Sequence, residues 1–136
     1  MTVCSVPAAL ILAALSALHV YWACGGTAGL HAALPQITPR AGSGPAFQPG
    51  PGLTLLVAVA LGSGAALALL APAGGTPRLL TLAVSAAFAL RVLGDFRYVG
   101  LFKRVRGTTF AHWDDRLFIP LCLTLSLLLL GAARPA

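Results

Sequence analysis

A chain of 136 residues that is 58% hydrophobic and only 9% charged cannot dress its surface for water, since soluble domains carry about 25% charged residues. The length fits one domain, residues 1–136, and the composition calls for an outer face that meets lipid. Nine basic and three acidic residues leave a net charge of +6, but the bases crowd beside an apolar segment rather than along a groove-reading face, which excludes nucleic acid as the natural partner.

The first apolar run, about residues 3–24, is uncharged and interrupted only by Ser5, Pro7, Ser16 and His19. It lacks the basic start and short apolar core of a cleaved leader. Bulky Tyr21 and Trp22 precede Cys24 where a lipidated cysteine needs small residues, so a retained helix is expected. Gly25 and Gly26 stop it. Residues 25–51 form a Gly/Pro-rich connector whose prolines forbid a regular helix and place irregular chain outside the bilayer core. Its apolar start, TAGLHAALP, suits the interface.

The second run, residues 53–71, carries no charge. Ala58, Gly62 and Ala66 recur at four-residue spacing, as do Ala60, Gly64 and Ala68, which suits close packing of helix backbones or self-association. The third run spans about residues 78–99 and the fourth about 114–133. Asp114 is the expected N-cap of the fourth, and Pro120 should kink it. Each run is long enough to cross a hydrocarbon core of about 30 Å. The fold class is therefore all-α, an integral membrane bundle of four transmembrane helices.

Three cysteines make no framework. Cys4 and Cys24 sit near opposite ends of one helix, about 30 Å apart at the usual rise, and no Cys/His spacing suggests a metal site. A Cys24–Cys122 pair is conceivable at one membrane face, but small apolar fillers are the plainer reading. Serines in the spans, Ser5, Ser16 and Ser63, are expected to bond to their own backbone.

Every acidic residue and six of the nine bases lie between Arg91 and Arg116. Counting Lys and Arg beside the span ends puts the first and third connectors in the cytoplasm and both termini outside. Topology then gathers His19, Arg91, Asp95, Arg97, Tyr98, Asp114 and Arg116 at one membrane face. Arg91 and Asp95, four apart, are expected to pair on one helix face, because an unpaired charge at mid-membrane costs about 2.5–3.5 kcal/mol. Trp22 and Trp113 read as interfacial anchors. Lys103, Arg104 and Arg106 read as contacts to anionic lipid headgroups. The bilayer is thus the expected partner, with a second copy or another membrane protein as a further one.

HVYWACGG, a following ALP, and GDFRYVGLFKRVRGTTFAHWDDRLFIPLC together resemble the bacterial domain-of-unknown-function family numbered 3995. The motif members are His19, Trp22, Gly25, Gly26, Gly94, Asp95, Arg97, Trp113, Asp114, Arg116 and Pro120. The resemblance implies a small multi-pass protein of the bacterial inner membrane and supplies no activity. No catalytic residue, metal ligand or cofactor is expected, since no nucleophile stands at a recognisable spacing from a base. Two readings remain for the charged cluster: it organises the bundle or engages a partner, or it lines the pocket of a small transporter-like or ligand-binding protein. An intramembrane enzyme is the remotest reading.

Overall fold

Ala- and Leu-rich runs without interior breakers favour helix, and the computed structural model, which describes residues 2–37 and 44–134, is all-helical. The long helices are α1 (Ser5–Ala23), α3 (Pro51–Leu70), α4 (Gly75–Leu93), and a final pair joined end to end, α5 (Thr109–Trp113) and α6 (Ile119–Ala132). A short helix, α2 (Leu30–Ala33), lies in the first connector, and a 3-10 turn, Ala71–Ala73, prolongs α3. Four helical segments are long and apolar enough to cross a membrane: Ser5–Ala23, Pro51–Ala73, Gly75–Leu93 and Thr109–Ala132. Among the described residues there is no strand, only one isolated bridge between Gln36 and Pro45.

Local chemistry sets the ends. α1 stops where Gly25 adopts φ +94° and the N–H groups of Gly25 and Gly26 return to Trp22 and Tyr21 carbonyls. Gly is the residue for that left-handed step. Pro51 opens α3, where its missing N–H costs nothing. α4 ends at Leu93, earlier than expected, because Gly94 takes φ +90°. The last helix starts earlier than expected, at Thr109, because the Thr108 side chain accepts the Ala111 N–H. Asp114 is therefore inside this helix and not its cap. The first connector is also more ordered at its start than expected, since α2 forms within TAGLHAALP. Arg40, the one arginine of that connector, lies outside the described residues.

Pro120 acts one turn ahead of itself. Its ring cannot accept an ordinary turn beneath it, and the segment Asp114–Phe118 widens into a π-helical turn in which the Ile119 N–H reaches the Asp114 carbonyl. Such a bulge is, like proline, one of the recognised causes of helix kinks.

α1 packs along α3 and α4 along α6, while α3–α4 and α1–α6 contacts close the ring. The centre is built from Ala8, Ala9 and Leu12 of α1, Ala65 and Ala68 of α3, and Leu125 and Leu129 of α6. Large apolar side chains point outward instead, with Leu79 67% exposed and Leu10 66% exposed. This is the reverse of a water-soluble bundle. In a bundle that crosses a membrane, lipid removes the hydrophobic drive between helices, and close approach of small residues and interhelical hydrogen bonds hold them. The small-residue stripes of α3 split accordingly: Ala58, Gly64 and Ala68 are buried, whereas Ala60 and Ala66 face out.

Four hydroxyls tie neighbouring helices together. Ser16 donates to the Ala58 carbonyl of α3 at 2.7 Å, rather than to its own backbone as expected. Thr81 of α4 reaches the Leu67 carbonyl of α3 at 3.1 Å. Ser85 of α4 and Ser126 of α6 bond to each other's carbonyls.

Candidate functional site

The ends of α1 and α4 and the starts of α3 and α5 share one face of the bundle, and residues 94–108 fold back over it. Gly94 and Gly100 make that fold possible. Both have positive φ, and a Cβ on either would run into the other's backbone. Between them, one oxygen of the exposed Asp95 accepts the N–H groups of Arg97 at 2.9 Å, Tyr98 at 2.7 Å and Val99 at 2.9 Å. Partial burial pushes the Asp95 carboxyl up, but the combined donations from Val99, Arg97 and Tyr98 outweigh it and hold the group below its ordinary value. The returning chain then donates from Leu101 to the Val92 carbonyl at 2.8 Å, covering a carbonyl that the end of α4 leaves free.

This turn carries Lys103 inward. Only 2% exposed, it meets the fully buried Asp114 from the π-helical turn. One Asp114 oxygen accepts Arg91 Nη2 at 2.8 Å. The other accepts the Gly100 N–H at 2.9 Å and Lys103 Nζ at 3.1 Å. Lys103 also donates to the Gly100 carbonyl at 3.1 Å and to Asp115. Arg106 Nη1 stands 3.8 Å from the remaining Asp115 oxygen. Two cations against two carboxylates at the centre leave no net charge there, with Arg106 at the edge. Burying ions is expensive unless they are paired and hydrogen-bonded, and this set meets that condition with one exception: Arg91 Nη1 is buried with no hydrogen-bond partner.

Two expectations change here. Arg91 pairs with Asp114, 23 residues away, and not with Asp95, because α4 ends before a further turn could put residue 95 under residue 91. Lys103, expected at the headgroups with Arg104 and Arg106, is instead buried against two carboxylates.

The other expected members lie as follows. His19 Nδ1 bonds to the Leu15 carbonyl of its own helix at 2.8 Å and packs edge-on to Trp22, so its hydrogen bond stays within α1 and does not reach the Arg91–Asp114 pair. Tyr98 lies under the Arg97 guanidinium, 5.0 Å from ring centre. Arg116 is exposed on the π-helical turn. Trp22 donates to the Ala28 carbonyl at 2.8 Å, and Trp113 is half-exposed beside His112.

Two residues of this face had no prior sign. Asp115 shares Lys103 with Asp114; its adjacency to Asp114 was visible, its partner was not. Gln36 is buried in the first connector, where its amide donates to the His31 and Leu34 carbonyls and its oxygen accepts the Phe110 N–H at 3.0 Å. It satisfies a free amide at the start of α5 from 74 residues away, which no local pattern announces.

Two adjoining clefts open beside this connector, of about 290 Å³ and 250 Å³. Thr27, Leu30, Leu34 and Gln48 line both, and His19, Arg91, Asp95 and Tyr98 line neither. Among the described residues no three His, Cys, Asp or Glu side chains converge to hold a metal ion, and all three cysteines are unpaired.

Residues 12–129 match the model of a family described as protein of unknown function (DUF3995). No curated protein and no solved structure matches the chain.

Proposed function

The chain belongs to the DUF3995 family, and on that premise we propose a non-enzymatic, multi-pass protein of the bacterial inner membrane. Its buried charges fasten a basic loop to one end of the bundle and so fix how the four helices dock. One observation carries the reading: both oxygens of the buried Asp114 are taken, by Arg91, Lys103 and the Gly100 N–H. A general base needs an approach to the proton it removes, and a fully buried, triply bonded carboxylate offers none. The surplus of bases beside the loop, against Arg78 and Arg134 at the opposite end, supports a cytoplasmic loop with both termini outside.

The test is Asp114→Ala, which leaves the buried Lys103 and the partly buried Arg91 without their shared anion. Breaking a buried pair costs about 3–5 kcal/mol, so folded protein recovered from membranes should drop steeply, and far less for Asp95→Ala. An Asp114→Ala protein that melts in detergent alongside the wild type would end the proposal.

A second reading, a small transporter-like or ligand-binding protein, has one observation in its favour: the unpartnered Nη1 of Arg91. On that reading the spare N–H awaits an acceptor, and Arg91→Lys, which keeps a cation beside Asp114, abolishes uptake or binding while sparing the melting temperature. Equal loss of both would return Arg91 to the bundle.

A further inference from the structure

The chain has three acidic residues, Asp95, Asp114 and Asp115, and the fold commits all of them. Asp95 is bound by three backbone N–H groups. Asp114 is held by Arg91 and Lys103. Asp115 takes Lys103 and the outlying Arg106. Arg97, Arg104 and Arg116 remain at the same face, all exposed, with no side-chain carboxylate among the described residues to meet them.

Large apolar side chains stand beside these cations. Phe96 and Phe102 are 59% and 58% exposed, and Leu101 and Trp113 are also open. The two Phe rings stack on each other at 6.0 Å between centres. Phe96 is the one non-glycine residue with positive φ among the described residues, a conformation a bulky side chain adopts only when its surroundings hold it there. The Gly94–Gly100 contact and the Asp95 carboxylate do so, and the ring they hold points outward. The loop leaves α4 at Gly94 and enters α5 at Thr109, so it sits at the level where spanning helices leave hydrocarbon.

We propose that Arg97, Arg104 and Arg116, with the Phe96–Phe102 pair, form a contact for anionic phospholipid headgroups of the membrane that the helices cross. The rings enter the boundary between acyl chains and headgroups, and the guanidinium groups take the phosphates. Guanidinium suits the task because its planar fork binds phosphate oxygens in pairs. The inference rests on the spanning reading above and deepens it. It also redraws the basic cluster: the buried Lys103 and Arg106, which faces Asp115, leave it, and Arg97 and Arg116 join.

The full chain, purified in detergent, is offered phosphatidylglycerol or phosphatidylcholine, and retained lipids are counted by native mass spectrometry. The wild type should hold phosphatidylglycerol in preference, and Arg97→Gln, Arg104→Gln and Arg116→Gln should each weaken that preference by about fivefold. The triple Arg→Lys variant keeps the charges but not the forks and should hold a preference between those of the wild type and the triple Gln variant, so loss through misfolding is distinguishable. Equal retention of the two lipids by the wild type, or an undiminished preference in the triple Gln variant, would overturn the contact. Binding of inorganic phosphate in preference to phosphatidylglycerol at equal concentration would overturn it too, by giving the cations to a soluble anion. Alkaline carbonate extraction separates the two levels. A chain that stays in the membrane without a headgroup preference removes only the contact, whereas a chain that is extracted removes the spanning reading and the contact with it.

Discussion

Ser85 and Ser126 exchange hydrogen bonds between the neighbouring helices α4 and α6: Ser85 Oγ donates to the Ser126 carbonyl at 2.8 Å, and Ser126 Oγ to the Ser85 carbonyl at 3.0 Å. Both are buried, one on α4 and one on α6. Each carbonyl already belongs to its own helix, so the serine adds a second bond to it. Such interhelical bonds average about 0.6 kcal/mol in membrane proteins. Ser85→Ala and Ser126→Ala should therefore each cost about that much in detergent unfolding. The double variant should cost nearly the sum, since each hydroxyl bonds to backbone that survives removal of the other. A coupling larger than either single effect would show that the 3.3 Å contact between the two hydroxyls matters more than the carbonyl bonds.

The loop geometry gives a second prediction through the chain's single lysine. Gly94 and Gly100 touch through their backbones, and an Ala at either would combine a collision with a disfavoured φ. A forced left-handed residue costs about 1–3 kcal/mol before any clash is added. Gly94→Ala or Gly100→Ala should open the turn and release Lys103 from Asp114. An amine-reactive reagent should leave Lys103 unmodified in the wild type and modify it in either variant, as peptide mapping would detect. Protection of Lys103 in both variants would mean that Asp114 and Asp115 hold it without the turn.

The four apolar runs were legible because hydropathy over twenty residues depends on composition alone. The third and fourth runs were misplaced at their inner ends, around Leu93 and Thr109, for a shared reason. Gly94, Asp95 and Thr108 use backbone conformation and side-chain bonds that compete with a continued helix, and apolar spacing does not register them. The partner of Arg91 is not legible locally, because Asp95 stands four residues on, at pairing distance for a continued helix, yet is bound by backbone N–H groups. The π-helical turn ahead of Pro120 instead carries Asp114 into reach. Lys103 was hidden by its company, since Arg104 and Arg106 make the stretch read as one solvated run. The Ser85–Ser126 and Gln36–Phe110 links join residues 41 and 74 positions apart, and only the fold brings them together.

Asp95 supplies a pH dependence of definite sign. Its folded carboxyl lies below the ordinary value, which for Asp is about 3.9. A group depressed in this way contributes stability that is complete above its ordinary value and is lost as pH falls through the folded one. The amide resonances of Arg97, Tyr98 and Val99 should therefore shift together with a midpoint below about 3.9. In Asp95→Asn, whose carbonyl oxygen stays neutral, that titration should vanish. A midpoint at or above the ordinary value would mean that burial of the carboxyl outweighs its three donors.

The cysteines provide a built-in report on which way the chain sits. Cys24 is exposed and lies at the end of α1, on the same face as the charged loop. Cys4 lies at the other end, packed so closely on Gly131 that a Cβ there would come within 2.7 Å of its sulfur. Cys122 is buried and should stay silent. If the surplus of bases keeps the loop in the cytoplasm, a membrane-impermeant maleimide should miss Cys24 in intact cells and label it in inverted vesicles. Cys24→Ala should remove that signal, and Cys122→Ala should leave it unchanged. Labelling of Cys24 from outside intact cells would reverse the orientation: the basic loop would lie outside and both termini in the cytoplasm. The charge count would then have been outweighed by another determinant, and Arg78 and Arg134 at the opposite end would be the first residues to substitute.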